Sequence, residues 1–172
     1  MEVNTIGHGM RPSKELVDTL REAGVQTLVD VRRFPGSRRN PQFGRAALEA
    51  TLAEAGIRYR HAEELGGRLS GEHGEERFEC IRVAAFRSYA ARMTTERWQA
   101  VLAAALAEPA PCLMCAETLW VRCHRRLIAE LLTARAHEVT HLLAPGRSER
   151  HQRWDIAEYR DGRLYLCGEL VA

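Results

Sequence analysis

Lysine is nearly missing from this sequence: Lys14 is the only one among 25 basic side chains. Arginine therefore carries almost all the positive charge, and arginine is the side chain that grips phosphate or carboxylate through two parallel hydrogen bonds. Charge of one sign is not in excess, since the formal net charge is +2, so bulk electrostatics does not mark a nucleic-acid binder. No run approaches the roughly eighteen apolar residues that cross a membrane. The opening Met1-Glu2-Val3-Asn4 lacks the basic and apolar regions of a secretory signal, so a cytoplasmic location without membrane contact is expected. Five cysteines are an odd set with no framework spacing, in a chain long enough to need no staples. Reduced thiols are expected, and any cysteine function is expected to be chemical. There is neither a Walker phosphate cradle nor a dinucleotide fingerprint, so no cofactor is expected.

What is present suits an ordinary fold. The chain has 172 residues, 45% hydrophobic and 28% charged, enough to bury a core as a single domain over 1–172. Val3 to Gly7 reads as a buried strand, and Ser13 can cap a helix whose apolar face is Leu16, Val17 and Leu20, ended by Gly24. Thr27 to Val31 reads as a second strand, apolar and β-branched as strands covered on both faces are. Leu48, Leu52 and Ala55 mark the next helix, Ile57 to His61 a third strand, and Leu65-Gly66-Gly67 a turn.

After a polar loop over 68–76, Phe78, Ile81, Ala85, Phe86 and Tyr89 recur at helical spacing. Thr94 or Thr95 can cap a further helix carrying Trp98, Leu102 and Ala105. Cys112 to Ala116 is the fourth strand, Leu127, Ile128, Leu131 and Leu132 the face of the following helix, and Glu138 to Leu143 the fifth strand. Asp161-Gly162 between alternating residues marks a terminal hairpin. Trp154 and Leu164-Tyr165-Leu166 leave both a monomer and a homodimer open. Alternating strands and helices predict an α/β fold, a three-layer sandwich on a mainly parallel, Rossmann-like sheet with a C-terminal β-hairpin.

In such sheets ligands bind beyond the carboxyl ends of the strands. The residues there are polar: His8 after the first strand, Asp30 and Arg32 at the second, His61 at the third, Cys115 and Glu117 at the fourth, His141 near the fifth. Cys115, between a buried strand and a helix N-terminus, sits where main-chain N–H groups favour a thiolate. Glu117 cannot lower a thiol pKa, because a second negative charge opposes the first, but it can orient His124 or an arginine, or act as a general acid or base if its own pKa is raised. Counting back from Leu127 and Ile128 places Cys123 and His124 on the inward helix face, with Arg125 and Arg126 pointing elsewhere. His124 can then serve Cys115 as a general base. Arg32, Arg38 and Arg125, with His8, Asp30 and Ser37, are the candidate contacts for an anionic group.

Each candidate has a bland counterpart. Cys115 and Cys123 can be small buried hydrophobes, His124 a core histidine on a carbonyl, Asp30 the structural partner of Arg32, and Arg32 to Arg39 a solvated basic loop. Cys112 and Cys115 are three apart in a strand, hence on opposite faces, so no disulfide joins them.

Thr5-Ile6-Gly7-His8, Asp30-Val31-Arg32, Pro35-Gly36-Ser37-Arg38, Pro41-Gln42-Phe43, Leu65-Gly66-Gly67, Cys115-Ala116-Glu117 and Cys123-His124-Arg125, in that order, resemble the domain-of-unknown-function 488 family over about residues 5 to 143. The resemblance implies no activity, cofactor or partner. The layout is also similar to rhodanese and dual-specificity phosphatase domains, but six residues separate Cys115 from Arg122 where those domains have five.

Three functions compete. The first is a small cysteine-dependent hydrolase or transferase acting on a phosphate- or carboxylate-bearing small molecule, with Cys115 the nucleophile. The second is a nucleic-acid-binding or repair-associated module built on the arginine loop. The third is a metal-binding protein using Cys115, Cys123 and His124 with His8 or His141, although their spacing is not that of a zinc ribbon or finger, and no metal ligand is assigned.

Overall fold

The computed structural model describes residues 1–36 and 38–172. Ser37, one of the expected anion contacts, lies outside the described residues. In chain order the elements are β1 (Glu2–Gly7), α1 (Ser13–Glu22), β2 (Thr27–Asp30), α2 (Arg45–Glu54), β3 (Arg58–His61), α3 (Ala84–Met93), α4 (Glu96–Leu106), β4 (Pro111–Cys115), α5 (Arg125–Ala134), β5 (Glu138–Ala144) and β6 (Arg147–Arg150). They are followed by β7 (Ala157–Arg160), β8 (Arg163–Leu166) and β9 (Glu169–Leu170).

The six-stranded sheet runs β3-β2-β4-β1-β5-β6, with β1 to β5 parallel and β6 antiparallel at the edge. Here β4 lies between β2 and β1, where the dinucleotide-binding order would put β1 directly beside β2. From β1 the chain moves toward β2 and β3; from β3 and β4 it returns the other way. With right-handed crossovers, that reversal sends the helices to opposite faces. The two cores follow suit. Leu16 and Leu20 of α1 and Leu48 and Leu52 of α2 pack on Ile6, Leu28, Cys112 and Met114. Residues of α3, α4 and α5 pack on Val3, Val29, Leu113 and Cys115. Cys112 and Cys115 thus belong to different faces, as strand periodicity requires.

A separate three-stranded antiparallel sheet, β7-β8-β9, begins with the expected hairpin. Asp161 and Gly162 both have positive φ, the conformation of a two-residue turn matched to strand twist. Leu164 and Leu166 of this sheet join the core around α5. That is why Ala129 and Glu130 are buried together with the apolar face read from the sequence: α5 is covered on two sides. Among the described residues no helix is long and apolar enough to cross a membrane.

Three local readings are corrected. Ser13 is the first residue of α1 and the cap position is Pro12, with no side-chain cap bond, whereas Thr95 does cap α4 by accepting from the Trp98 N–H. The periodic stretch from Phe78 is broken: Glu75–Phe78 forms one 3-10 turn, and α3 starts only after Val83, whose backbone is extended. Finally, the cysteines are not all reduced. Cys80 and Cys167 form a disulfide across 87 positions of sequence, tying the segment before α3 to the turn after β8. The odd total hid this bridge, because one pair plus three free thiols leaves no framework pattern. It also removes reduced thiols as an argument for location.

Candidate functional site

Strand register gathers the site. Gly7 of β1 lies beside Cys115 of β4, and Asp30 of β2 lies between Met114 of β4 and His61 of β3. Beyond the strand ends the pairing continues, with the His8 N–H donating to the Cys115 carbonyl and the Val31 N–H to that of Met114. The chain leaving β4 passes to one face of the sheet and the chains leaving its neighbours β1 and β2 to the other, which opens a crevice at the end of β4.

On one side of that crevice Asp30 and Arg32 form a buried pair. Arg32 Nε donates to Asp30 Oδ1 at 2.8 Å and Nη2 to Oδ2 at 2.6 Å, while Tyr59 Oη donates to Oδ2 at 2.8 Å. The remaining Arg32 nitrogen reaches the Phe43 carbonyl at 2.8 Å and His8 Nε2 at 3.2 Å. A guanidinium only donates, so His8 Nε2 accepts and Nδ1 carries the proton, directed to the Gly9 carbonyl at 2.8 Å. Burial holds His8 down to about 4, opposed by the Gly9 carbonyl and reinforced by Arg32. His8 is thus a neutral acceptor across the neutral range.

On the other side lie the two sulfurs. Cys115 Sγ and Cys123 Sγ are 2.8 Å apart, both buried. Arg125, whose side chain was expected to point away, is 1% exposed and turns in: Nε donates to Cys115 Sγ at 2.9 Å, and its own backbone N–H faces Cys123 Sγ at 3.5 Å. Its other nitrogens donate to the Glu117 carbonyl at 2.6 Å, the Thr118 carbonyl at 3.3 Å and Thr5 Oγ1 at 3.2 Å. Among the described residues it makes no ion pair with a carboxylate. A buried guanidinium without a counter-charge is costly, so the sulfurs are where negative charge belongs. Burial opposes the Arg125 charge, but the sulfurs outweigh it and hold its pKa up.

The sulfurs titrate as one unit. Burial and the Cys123 sulfur push Cys115 up. Cys123 is held well down: burial works against its charge, but the Cys115 thiol, His124 and Arg125 more than offset it. The resulting arrangement is a Cys115 S–H donating to a Cys123 thiolate at the N-terminus of α5. His124 Nδ1 lies 3.5 Å from Cys123 Sγ, and Nε2 faces the Val31 carbonyl at 3.3 Å. With Nε2–H on that carbonyl, Nδ1 is free to take the Cys123 proton. His124 therefore serves Cys123 more directly than Cys115. Cys112, on the other face, has its thiol pKa raised by burial.

Close backbone approach makes this possible. A Cβ on Gly7 would lie 1.8 Å from the Glu117 carbonyl oxygen, and one on Gly67 would lie 2.7 Å from His124 Nδ1. The glycines read as strand end and turn thus let chain segments pass directly over Arg125 and His124. Above the sulfurs opens a cavity of about 700 Å³. Cys115, Cys123 and His124 line its floor, and Arg32, Arg33, Arg38, Arg39, Arg68 and Arg122 line its walls.

The family model described as domain of unknown function DUF488 matches residues 12–132 of the 172. The chain belongs to the DUF488 family. No curated protein and no solved structure matches it.

In this DUF488 chain the structure brings Cys115, Cys123, His124, His8, Arg32, Arg38 and Glu117 to one cavity, and keeps Asp30 and Arg125 beneath it. Glu117 acts through its main-chain carbonyl on Arg125; its side chain is exposed. His141 lies apart, stacked on Trp120 and hydrogen-bonded to Thr5 Oγ1 at 2.7 Å. Among the described residues no three His, Cys, Asp or Glu side chains are placed to hold a metal ion, and beside the sulfurs a guanidinium stands where a ligand set would need another donor. Sequence reasoning placed Arg39 in the arginine loop but missed Arg68, Arg122 and Tyr89 as site residues. The ring of Tyr89 packs 5.1 Å from that of His124. Arg68 is isolated in the sequence, whereas Arg122 directly precedes Cys123-His124-Arg125 and that adjacency was the signal that could have found it.

Proposed function

We propose that this chain is a thiolate-dependent enzyme acting on an anionic small molecule, with the Cys115–Cys123 pair as its nucleophile and the arginine walls as its anion site. One observation carries this reading: buried Arg125 has sulfur, hydroxyl and carbonyl partners but, among the described residues, no carboxylate. A thiolate is the form of the pair that completes that site, and a thiolate is the reactive form of cysteine. Cys123, with the lowered pKa and the adjacent imidazole, is the attacking sulfur, so the nucleophile shifts from the sequence-based choice of Cys115, at the end of β4, to Cys123, just before α5. Arg38, Arg39 and Arg68 are exposed at the cavity and suit phosphate or carboxylate groups. A concave cavity with a sulfur floor supports a small anion better than a nucleic-acid backbone, which needs an open basic track.

The test is alkylation of the native protein by negatively charged iodoacetate and by neutral iodoacetamide, read residue by residue by mass spectrometry. At neutral pH Cys123 is expected to react far faster than Cys112, to prefer iodoacetate, and to lose that preference as salt is raised. If the pair is as inert as Cys112, the reading fails. If the pair is inert while DNA binds with a steep salt dependence, the arginine loop is a nucleic-acid contact instead.

A further inference from the structure

We propose that Cys115 and Cys123 are a thiol–disulfide exchange couple for an anionic low-molecular-weight disulfide, with Cys123 attacking and Cys115 resolving. This rests on the reading of the pair as a nucleophile and adds what the second sulfur is for. A nucleophile that works alone needs a base and an anion site; it does not need a second thiol in contact. Here the sulfurs are 2.8 Å apart, and a disulfide of about 2.05 Å requires closure by less than roughly 1 Å. No other free thiol competes, because Cys112 packs on the opposite face of the sheet and Cys80 is already bonded to Cys167.

The chemistry balances. The Cys123 thiolate attacks one sulfur of R–S–S–R; a Cys123–S–S–R bond forms, the substrate S–S bond breaks, and RS⁻ leaves and takes the Cys115 proton. The Cys115 thiolate then attacks the Cys123 sulfur, the mixed disulfide breaks, and a second RS⁻ departs. Two electrons pass from the protein sulfurs to the substrate, giving a Cys115–Cys123 disulfide, one RSH and one RS⁻. Arg125 Nε, 2.9 Å from Cys115 Sγ, supports the second thiolate as it forms. Oxidation removes the counter-charge of Arg125, which favours the reduced pair, so the couple reduces only disulfides whose leaving thiolates are themselves well stabilised and runs in reverse toward ordinary thiols. The arginines at the cavity select carboxylate-bearing R groups, and the exposed side chains of Met10 and Phe34 at the same cavity accept their apolar parts.

The experiment adds dithionitrobenzoate, an aromatic disulfide with a carboxylate on each ring, to the full-length protein, and the uncharged dithiodipyridine in parallel. Released thiolate is counted, and the protein is mapped by mass. Expected for the wild type is rapid release of two equivalents, a Cys115–Cys123 disulfide with no retained adduct, and a faster reaction with the charged reagent that salt slows. Cys115→Ser is expected to release one equivalent and keep the adduct on Cys123; Cys123→Ser is expected to lose the rapid phase. One equivalent with a retained wild-type adduct overturns the resolving role of Cys115, and a faster reaction with the uncharged reagent overturns the substrate class. If iodoacetate alkylates Cys123 rapidly but the disulfide does not react, the exchange couple fails while the thiolate enzyme stands. If both reagents fail, both readings fail.

Discussion

Two buried arginines converge on the strand ends, Arg32 from the segment after β2 and Arg125 from the first turn of α5, and their partners differ in kind. Arg32 has a carboxylate, held by two hydrogen bonds and further pinned by Tyr59. Arg125 has sulfur. The Asp30–Arg32 pair is locked by two side-chain hydrogen bonds, by Tyr59 and by the Phe43 carbonyl, so it is a fixed strut that shapes the cavity. A thiolate can be alkylated, oxidised or protonated, so the second pair is chemically responsive and its charge can be removed in a reaction. The fold places both at one end of the sheet and leaves only the second open to chemistry.

The comparison is broken most forcefully at the strut. Asp30→Ala leaves Arg32 buried without its carboxylate, and denaturant unfolding is expected to show a loss of about 3–5 kcal/mol. Whatever remains folded should keep its reactive cysteine. Arg125→Met is the complementary change: the pair can pick up a proton instead of remaining an unpaired charge, so the stability loss is smaller. The alkylation rate of Cys123 at neutral pH should fall by about 100-fold, because losing the guanidinium raises the thiol pKa. If Arg125→Met alkylates like the wild type, the sulfur is not the counter-charge of this arginine.

The pH dependence of stability sharpens the contrast. His8 is held down to about 4, so between about 6.5 and that value the unfolded chain binds a proton that the folded one refuses. Stability from this group is complete above about 6.5 and drains away as pH falls through 4. His8→Asn keeps an acceptor for Arg32 and should flatten thermal or denaturant stability over that window, by roughly 1–3 kcal/mol. An unchanged slope would show that His8 titrates normally. The smallest effect belongs to the rim. Arg38→Ala should lower the ratio of iodoacetate to iodoacetamide rates about twofold to threefold at low salt without altering the iodoacetamide rate, as befits one exposed charge.

Much of the fold was legible because it rests on periodicity and turn chemistry. The five parallel strands, the helices between them and the Asp161-Gly162 hairpin all follow from such local signals. The residues at the strand ends were legible too, since the rule for open sheets points to them. What was not legible depends on distance in sequence. The Cys80–Cys167 bridge joins positions 87 apart, and no local pattern couples them. The inward turn of Arg125 was misread because helical periodicity assigns a charged side chain to solvent, and only the sulfurs and the carbonyls of the 117–118 turn explain its burial. The small-to-nothing side chain at Gly67 was visible as a turn, but its service to His124 needed the third dimension.

The central claim is that the Cys115–Cys123 pair carries one negative charge at neutral pH. The most direct measurement is a pH titration of ultraviolet thiolate absorbance in the native protein, with Cys123→Ser as reference. The account predicts one thiolate per chain already present at neutral pH, lost on acidification well below about 8.5 and missing from the variant. If no thiolate absorbance develops until the pH passes about 8.5, the buried Arg125 is not balanced by sulfur and the account is wrong.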